Sequence, residues 1–226
     1  MGENRYYVTE AQKALAEKIL QMENVSQRLE GLQVPYKNAT LLYGPPGTGK
    51  TMFGKYIAYK SKLPFFYLNF SRLIDSYMGA TSKNISKAFD FVSFDSCVFL
   101  LDEVDAISCN RKNGRGNGVD GEIAKTTITL MQEFDKLPNN IIVLAATNRL
   151  DILDEAFISR FSIKRKIEPF TEEENRKMVQ LFLEDVDYSF TEDEINTVIA
   201  NTHDQREIMN RTVQVLAGKI AKEGDL

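Results

Sequence analysis

Four short apolar runs and one charged segment near residue 165 punctuate the chain, and the stretches between the first four space their apolar residues as helices do. Ala39–Tyr43 (ATLLY), Pro64–Asn69 (PFFYLN), Cys97–Leu101 (CVFLL), Ile141–Ala146 (IIVLAA) and Ile163–Glu168 predict strands. The third and fourth are continuously apolar, as strands covered on both faces of a parallel sheet must be. Helices are predicted over Thr51–Lys60, Ser82–Val92 and Glu122–Phe134, with another, Glu10–Met22, ahead of the first strand. This alternation predicts an α/β fold with a doubly wound, parallel, five-stranded sheet.

After Pro169 the rhythm changes to helices alone, predicted at Glu172–Glu184, Glu192–Asn201 and Asp204–Ala221. Thr171 stands as N-cap of the first, with Glu174 at the capping-box position. The charge changes at the same place. Residues 1–169 carry 22 Lys and Arg against 19 Asp and Glu, whereas residues 170–226 carry 6 against 13. We therefore expect an α/β subdomain over 1–169 and a small helical subdomain over 170–226, the latter too short to bury much core alone.

The 226 residues are 43% hydrophobic, enough for one substantial core, and the net charge of −4 offers no global basic field for nucleic acid or anionic membrane. Two cysteines, Cys97 and Cys109, are too few for a disulfide framework, so a reducing, cytoplasmic setting is expected. The N-terminus lacks an apolar signal region, and no run reaches the roughly 18 apolar residues of a membrane helix. The single histidine, His203, cannot make a metal site by itself. Asn110–Gly118 (NRKNGRGNG) reads as a loop, with Arg111, Lys112 and Arg115 as its cations.

The sharpest chemistry lies between the first strand and the helix after it. Gly44-Pro45-Pro46-Gly47-Thr48-Gly49-Lys50-Thr51 fits the G-x-x-x-x-G-K-[ST] pattern, the Walker A form, in the strand–loop–helix setting it needs. Glycines let backbone N–H groups curl around an anionic oxygen, and the helix N-terminus, entered through Met52, adds positive potential. Lys50 supplies a point charge for β- and γ-phosphates, and Thr51 a hydroxyl for Mg²⁺. The expected ligands are ATP or ADP with Mg²⁺, in a P-loop NTPase fold.

The third strand runs into Asp102-Glu103, a Walker B arrangement at the strand end where open α/β sheets bind ligands. Asp102 suits the Mg²⁺ ion, and Glu103 the orientation and polarisation of an attacking water. Burying two carboxylates behind an apolar strand without a cation is costly, which speaks against a merely structural strand end. The glutamate directly after the aspartate favours hydrolysis by water over transfer to another acceptor.

With these residues in view, the chain resembles the AAA+ ATPases over nearly its whole length, and specifically the branch of katanin- and spastin-like remodellers and AAA proteases. GPPGTGKT and LLDEVDAI (Leu100–Ile107) have the form of that branch. The resemblance implies that the helical tail is the AAA+ lid. Ala145-Ala-Thr-Asn148 looks like the sensor-1 strand end, making Asn148 a polar partner of water and γ-phosphate. Leu153-Asp-Glu-Ala156 with Ser159-Arg-Phe161 looks like the arginine-finger segment, making Arg160 a residue that acts in a neighbouring subunit's site. A second finger would stand three residues on, where this chain has Ile163; Lys164 and Arg165 are displaced from that place. Tyr77-Met78-Gly79 resembles the first pore loop, which grips extended polypeptide in a hexamer's channel. Arg206, near the start of the last helix, stands where many AAA+ proteins keep a sensor-2 arginine, although the katanin-like branch usually lacks it.

The resemblance thus implies a Mg²⁺-dependent ATPase assembling as a homo-oligomeric ring, a hexamer, that remodels or threads protein; the lack of a membrane-length apolar run leads us to expect no membrane association. No substrate-recruiting, protease or second ATPase module is expected within these 226 residues. Two other readings stand beside it. A nucleic-acid loader would use Arg206 and the basic loop, but the acidic tail and the missing DNA-binding module speak against nucleic acid. A slow, nucleotide-gated switch would recruit a partner in its ATP state, which an intact Glu103 and Asn148 disfavour.

Overall fold

Each of the five expected segments forms a strand, and all five strands join one parallel sheet. The computed structural model describes residues 6–34, 36–76, 81–107 and 119–224. The strands are β1 (Ala39–Tyr43), β2 (Phe65–Asn69), β3 (Val98–Asp102), β4 (Ile142–Thr147) and β5 (Ile163–Lys166), in the order β2-β3-β4-β1-β5. The helices before Pro169 are α1 (Glu10–Gly31), α2 (Lys50–Ser61), α3 (Phe70–Ser76), α4 (Thr81–Val92), α5 (Val119–Lys136) and α6 (Glu155–Ile158). The lid-like tail contributes α7 (Glu172–Asp185), α8 (Glu192–Ile199) and α9 (Gln205–Gly224).

Strand geometry sends alternate side chains to opposite faces, and the core divides accordingly. Leu41, Phe99, Leu101, Val143 and Ala145 face one layer, where they meet Phe70 of α3, Ile85 and Phe89 of α4, Leu130 and Phe134 of α5 and Phe157 of α6. Leu42, Val98, Leu100, Leu144 and Ala146 face the other, against Leu15 and Ile19 of α1 and Phe53 and Ile57 of α2. Gly54 lets α2 lie close to the sheet: a Cβ there would touch Leu100, Phe65 and Leu144. The tail has an apolar cluster of its own, Val179, Leu183, Val198, Ile199 and Ile208.

Three details differ from the sequence expectation. Helix α1 continues to Gly31 instead of ending near Met22, because no breaker follows; Ser26 satisfies its hydroxyl on the Glu23 carbonyl at 2.7 Å and lets the helix run on. Helix α3 starts at the residue after β2, capped by the Asn69 side chain, which accepts from the Arg72 N–H at 2.9 Å. β5 stops at Lys166, and its Lys164, Arg165 and Lys166 are exposed on the sheet edge, where charge discourages further strand pairing. The capping box of Thr171 and Glu174 is present, and Thr191 with Glu194 builds a second one for α8.

Tyr77, Met78, Gly79 and the Asn110–Gly118 loop lie outside the described residues, as does Cys109. Among the described residues no helix is long and apolar enough to cross a membrane.

Candidate nucleotide site

Parallel pairing brings the C-terminal ends of β3, β4 and β1 side by side. Leu101 stands opposite Ala145, and Tyr43 opposite Thr147, so Asp102, Asn148 and Gly44 emerge along one edge of the sheet. A cavity of about 470 Å³ opens there, lined on its polar side by Gly47–Met52, Asp102, Glu103, Asn148 and Arg206. Ten of the candidate residues named from sequence are thereby brought to one place. Three more, Gly44, Pro45 and Pro46, belong to the same loop.

The loop requires its glycines. Gly44, Gly47 and Gly49 have φ of 146°, 74° and 82°, a region that L side chains rarely adopt. A Cβ on Gly44 would also collide with the Ile167 carbonyl, one on Gly47 with the Asp204 carboxylate, and one on Gly49 with the Gln205 side-chain oxygen. The loop is therefore shaped by β5's continuation on one side and by the start of α9 on the other. Thr48 ties the turn internally, donating to the Pro45 carbonyl at 2.9 Å.

Lys50 is only 7% exposed, and its ammonium donates to the carbonyls of Gly44 at 2.8 Å and Pro45 at 2.7 Å. Burial pushes its pKa down to about 8; Asp102 opposes that fall and Arg206 adds to it. Thr51 donates its hydroxyl to Asp102 Oδ2 at 2.8 Å, so the two oxygens are adjacent. The other Asp102 oxygen accepts the Glu103 N–H at 3.0 Å.

Glu103 has φ 56° and ψ 43°, a left-handed conformation that costs a residue with a Cβ about 1–2 kcal/mol. Its carbonyl accepts the Ala106 N–H at 3.0 Å, turning the chain sharply after β3 and leaving the side chain at the cavity wall. The turn is fastened to β4 by the Thr147 hydroxyl, which donates to Asp105 at 2.7 Å and accepts the Arg149 N–H at 2.9 Å. Asn148, between these anchored residues, stands exposed at the cavity.

At its other end the cavity is lined by Tyr6, Tyr7 and Val8 of the N-terminal segment together with Phe170, Met178, Phe182 and Met209. Tyr7 meets Phe170 edge-on, with ring centroids 5.2 Å apart. Burial raises the Tyr7 pKa, helped by the Glu174 carboxylate. This end is an aromatic and thioether pocket between the N-terminal segment and the tail, suited to a planar heteroaromatic base. No short motif signals it, because its residues come from four separated segments. Gln205, also at the cavity, escaped sequence reading for the same reason. Asn69 is the register partner of Asp102, and its amide donates to the Tyr67 hydroxyl at 3.1 Å.

Arg160 lies away from this cavity. It makes a two-pronged ion pair with Asp135 of α5, Nε to Oδ1 at 2.8 Å and a terminal nitrogen to Oδ2 at 2.7 Å. A third bond reaches the Ala156 carbonyl at 2.7 Å, and the Asp135 carboxylate raises its pKa further. The guanidinium side chain keeps 26% exposure.

The arrangement can bind a polyanion beside a divalent cation. Thr51 and Asp102 offer the hard oxygen ligands that Mg²⁺ takes. Among the described residues no group of three or more His, Cys, Asp or Glu could hold a metal by itself.

The chain is similar in sequence to known proteins. The chain is 35% identical over 142 residues to the 26S proteasome regulatory subunit 8 homolog of Schizosaccharomyces pombe, covering 62% of this chain and 35% of that protein. It is 38% identical over 152 residues to the 26S proteasome regulatory subunit 8 homolog B of Arabidopsis thaliana, covering 65% and 36%. It is 35% identical over 164 residues to the ATP-dependent zinc metalloprotease FtsH 3 of Symbiobacterium thermophilum, covering 71% and 26%. The chain thus spans about a third of the length of the curated relatives it matches, or less. Residues 40–169 match the ATPase family associated with various cellular activities (AAA), and with more than half of its length inside that match the chain belongs to the AAA family.

Proposed function

We propose that the chain is a Mg²⁺-dependent ATP-hydrolysing module that works in a ring of copies to remodel or thread protein. The observation that carries the hydrolytic reading is the placement of Lys50, Thr51, Asp102, Glu103 and Asn148 around one cavity. Bound Mg²⁺ would supply charge neutralisation to the phosphate chain. Thr51 and Asp102 would hold it, and Lys50 would turn from the loop carbonyls toward phosphate. Glu103 accepts a proton from the attacking water, and Asn148 orients that water against the terminal phosphate. The aromatic pocket takes the base. Residues 1–169 and 170–226 act as a large subdomain and a lid, a division supported by the separate apolar cluster of α7–α9.

Ring assembly is supported by Arg160. It is held outside its own cavity by Asp135, so a phosphate-stabilising role is open to it only in a neighbouring copy's site. Lys164 and Arg165, displaced in sequence from the place of a second finger, are exposed on β5. Relatives named as a proteasome regulatory subunit and a protease support protein as the substrate class, engaged through Tyr77, Met78 and Gly79. A hexameric ring in a cytoplasmic setting completes this reading. The test is phosphate release from ATP with and without Mg²⁺, for wild type and Glu103→Gln. We expect metal-dependent turnover that the variant lacks; equal turnover by both proteins removes Glu103 from the chemistry.

A further inference from the structure

The lid-like tail meets the phosphate loop through the first residues of α9, and one side-chain nitrogen there has no hydrogen-bond partner among the described residues. Gln205 is 8% exposed and lines the cavity, yet its Nε2 is buried with no hydrogen-bond acceptor among the described residues. Native proteins seldom leave a buried amide donor unmade, so an acceptor from outside the chain is the economical explanation. The backbone fixes where that acceptor must be. The Gln205 N–H donates to the Gly47 carbonyl at 3.0 Å, and its side-chain oxygen occupies the space a Cβ on Gly49 would need. The amide therefore lies over the phosphate loop.

The neighbouring residues sharpen the chemistry. Asp204, an acceptor that would repel phosphate, has one carboxylate oxygen turned back to the N–H groups of Arg206 at 2.8 Å and Glu207 at 3.4 Å. It serves as a cap for α9, leaving Gln205 and Arg206 as the donors this helix end presents to the cavity.

We infer that the Gln205 side-chain amide donates to an oxygen of the bound nucleotide's phosphate chain, so that nucleotide completes the contact between α9 and the Gly47–Gly49 turn. This rests on the cavity being a nucleotide site. Gln205 is a specificity-determining residue for polyphosphate and a coupling point between ligand and lid. It does no chemistry itself.

The test is calorimetric titration of ADP into wild type, Gln205→Met and Gln205→Glu, with thermal midpoints of the nucleotide-free proteins. Methionine keeps the volume and removes the donor, so ADP binding should weaken about tenfold while the nucleotide-free midpoint holds or rises. Glutamate places a negative charge beside phosphate and should weaken binding further than methionine does. A carboxylate would accept readily from a ribose hydroxyl or an adenine amine. Glutamate binding ADP as well as wild type therefore contradicts the phosphate assignment. Methionine with unchanged ADP affinity overturns the contact altogether, as does a loss of affinity matched by a loss of nucleotide-free stability. A wild type that binds no ADP overturns the nucleotide site itself, a result distinct from both.

Discussion

Lys50 is a buried cation waiting for an anion, and its titration gives a measurable consequence. Its ammonium is almost fully enclosed, and burial holds its pKa at about 8 against an ordinary value of 10.5. Between those two values the unfolded chain binds a proton that the folded chain has released. The group's contribution to stability therefore rises as pH climbs through that window and is lost below it. Nucleotide reverses the balance, because a polyphosphate beside Lys50 favours the charged form. Above about pH 8, binding must take up a proton, whereas the phosphates of ADP titrate near pH 6 and are silent there. With a free-state pKa of about 8, roughly one molecule in ten still carries the ammonium near pH 9, so ADP affinity should be about tenfold lower than near neutrality. Calorimetry without Mg²⁺, in two buffers of different ionisation enthalpy near pH 8.5, reads the proton directly. Lys50→Met should abolish the uptake and flatten the pH profile. Equal binding heats in both buffers, with constant affinity up to about pH 9.5, would refute the claim that burial depresses this lysine.

Two further outcomes follow from the geometry. Glu103→Gln should retain ATP binding, since the change keeps the shape of the wall and the Asp102–Thr51 pair, while turnover falls at least about a hundredfold; filter binding and phosphate release measure the two separately. Gly47→Ala should weaken ADP binding through its positive φ and its collision with Asp204, and adding Asp204→Ala should restore part of the loss. If the double variant binds no better than the single one, the loop's own strain and not the contact with α9 sets the effect.

The sheet was legible because buried parallel strands cannot be disguised. Val98–Leu101 and Ile142–Ala146 are all apolar, and their strands begin and end within one residue of expectation. The phosphate loop and the Asp102-Glu103 pair were legible because backbone curvature and metal chemistry restrict which residue types can serve. What stayed hidden depends on tertiary placement. Phe170, Met178, Phe182 and Met209 are ordinary helix or pre-helix residues until the tail folds over the cavity. Gln205 looks like any polar residue at a helix start, and only its position over Gly49 leaves its amide without an acceptor. Arg160 was found through family likeness alone; its grip on Asp135, 25 residues earlier, has no sequence signature. Helix α3 was missed because β2 passes into it without a turn residue.

The central claim, that hydrolysis occurs at sites completed by a second copy, is tested most directly by ATP turnover per subunit. Protein concentration would be varied, and Arg160→Ala mixed into wild type at several ratios. We predict a specific rate that climbs with concentration and falls more steeply than simple dilution as the variant is added. A rate independent of concentration and linear in the fraction of Arg160→Ala would mean that each chain completes its own site, and would contradict the account.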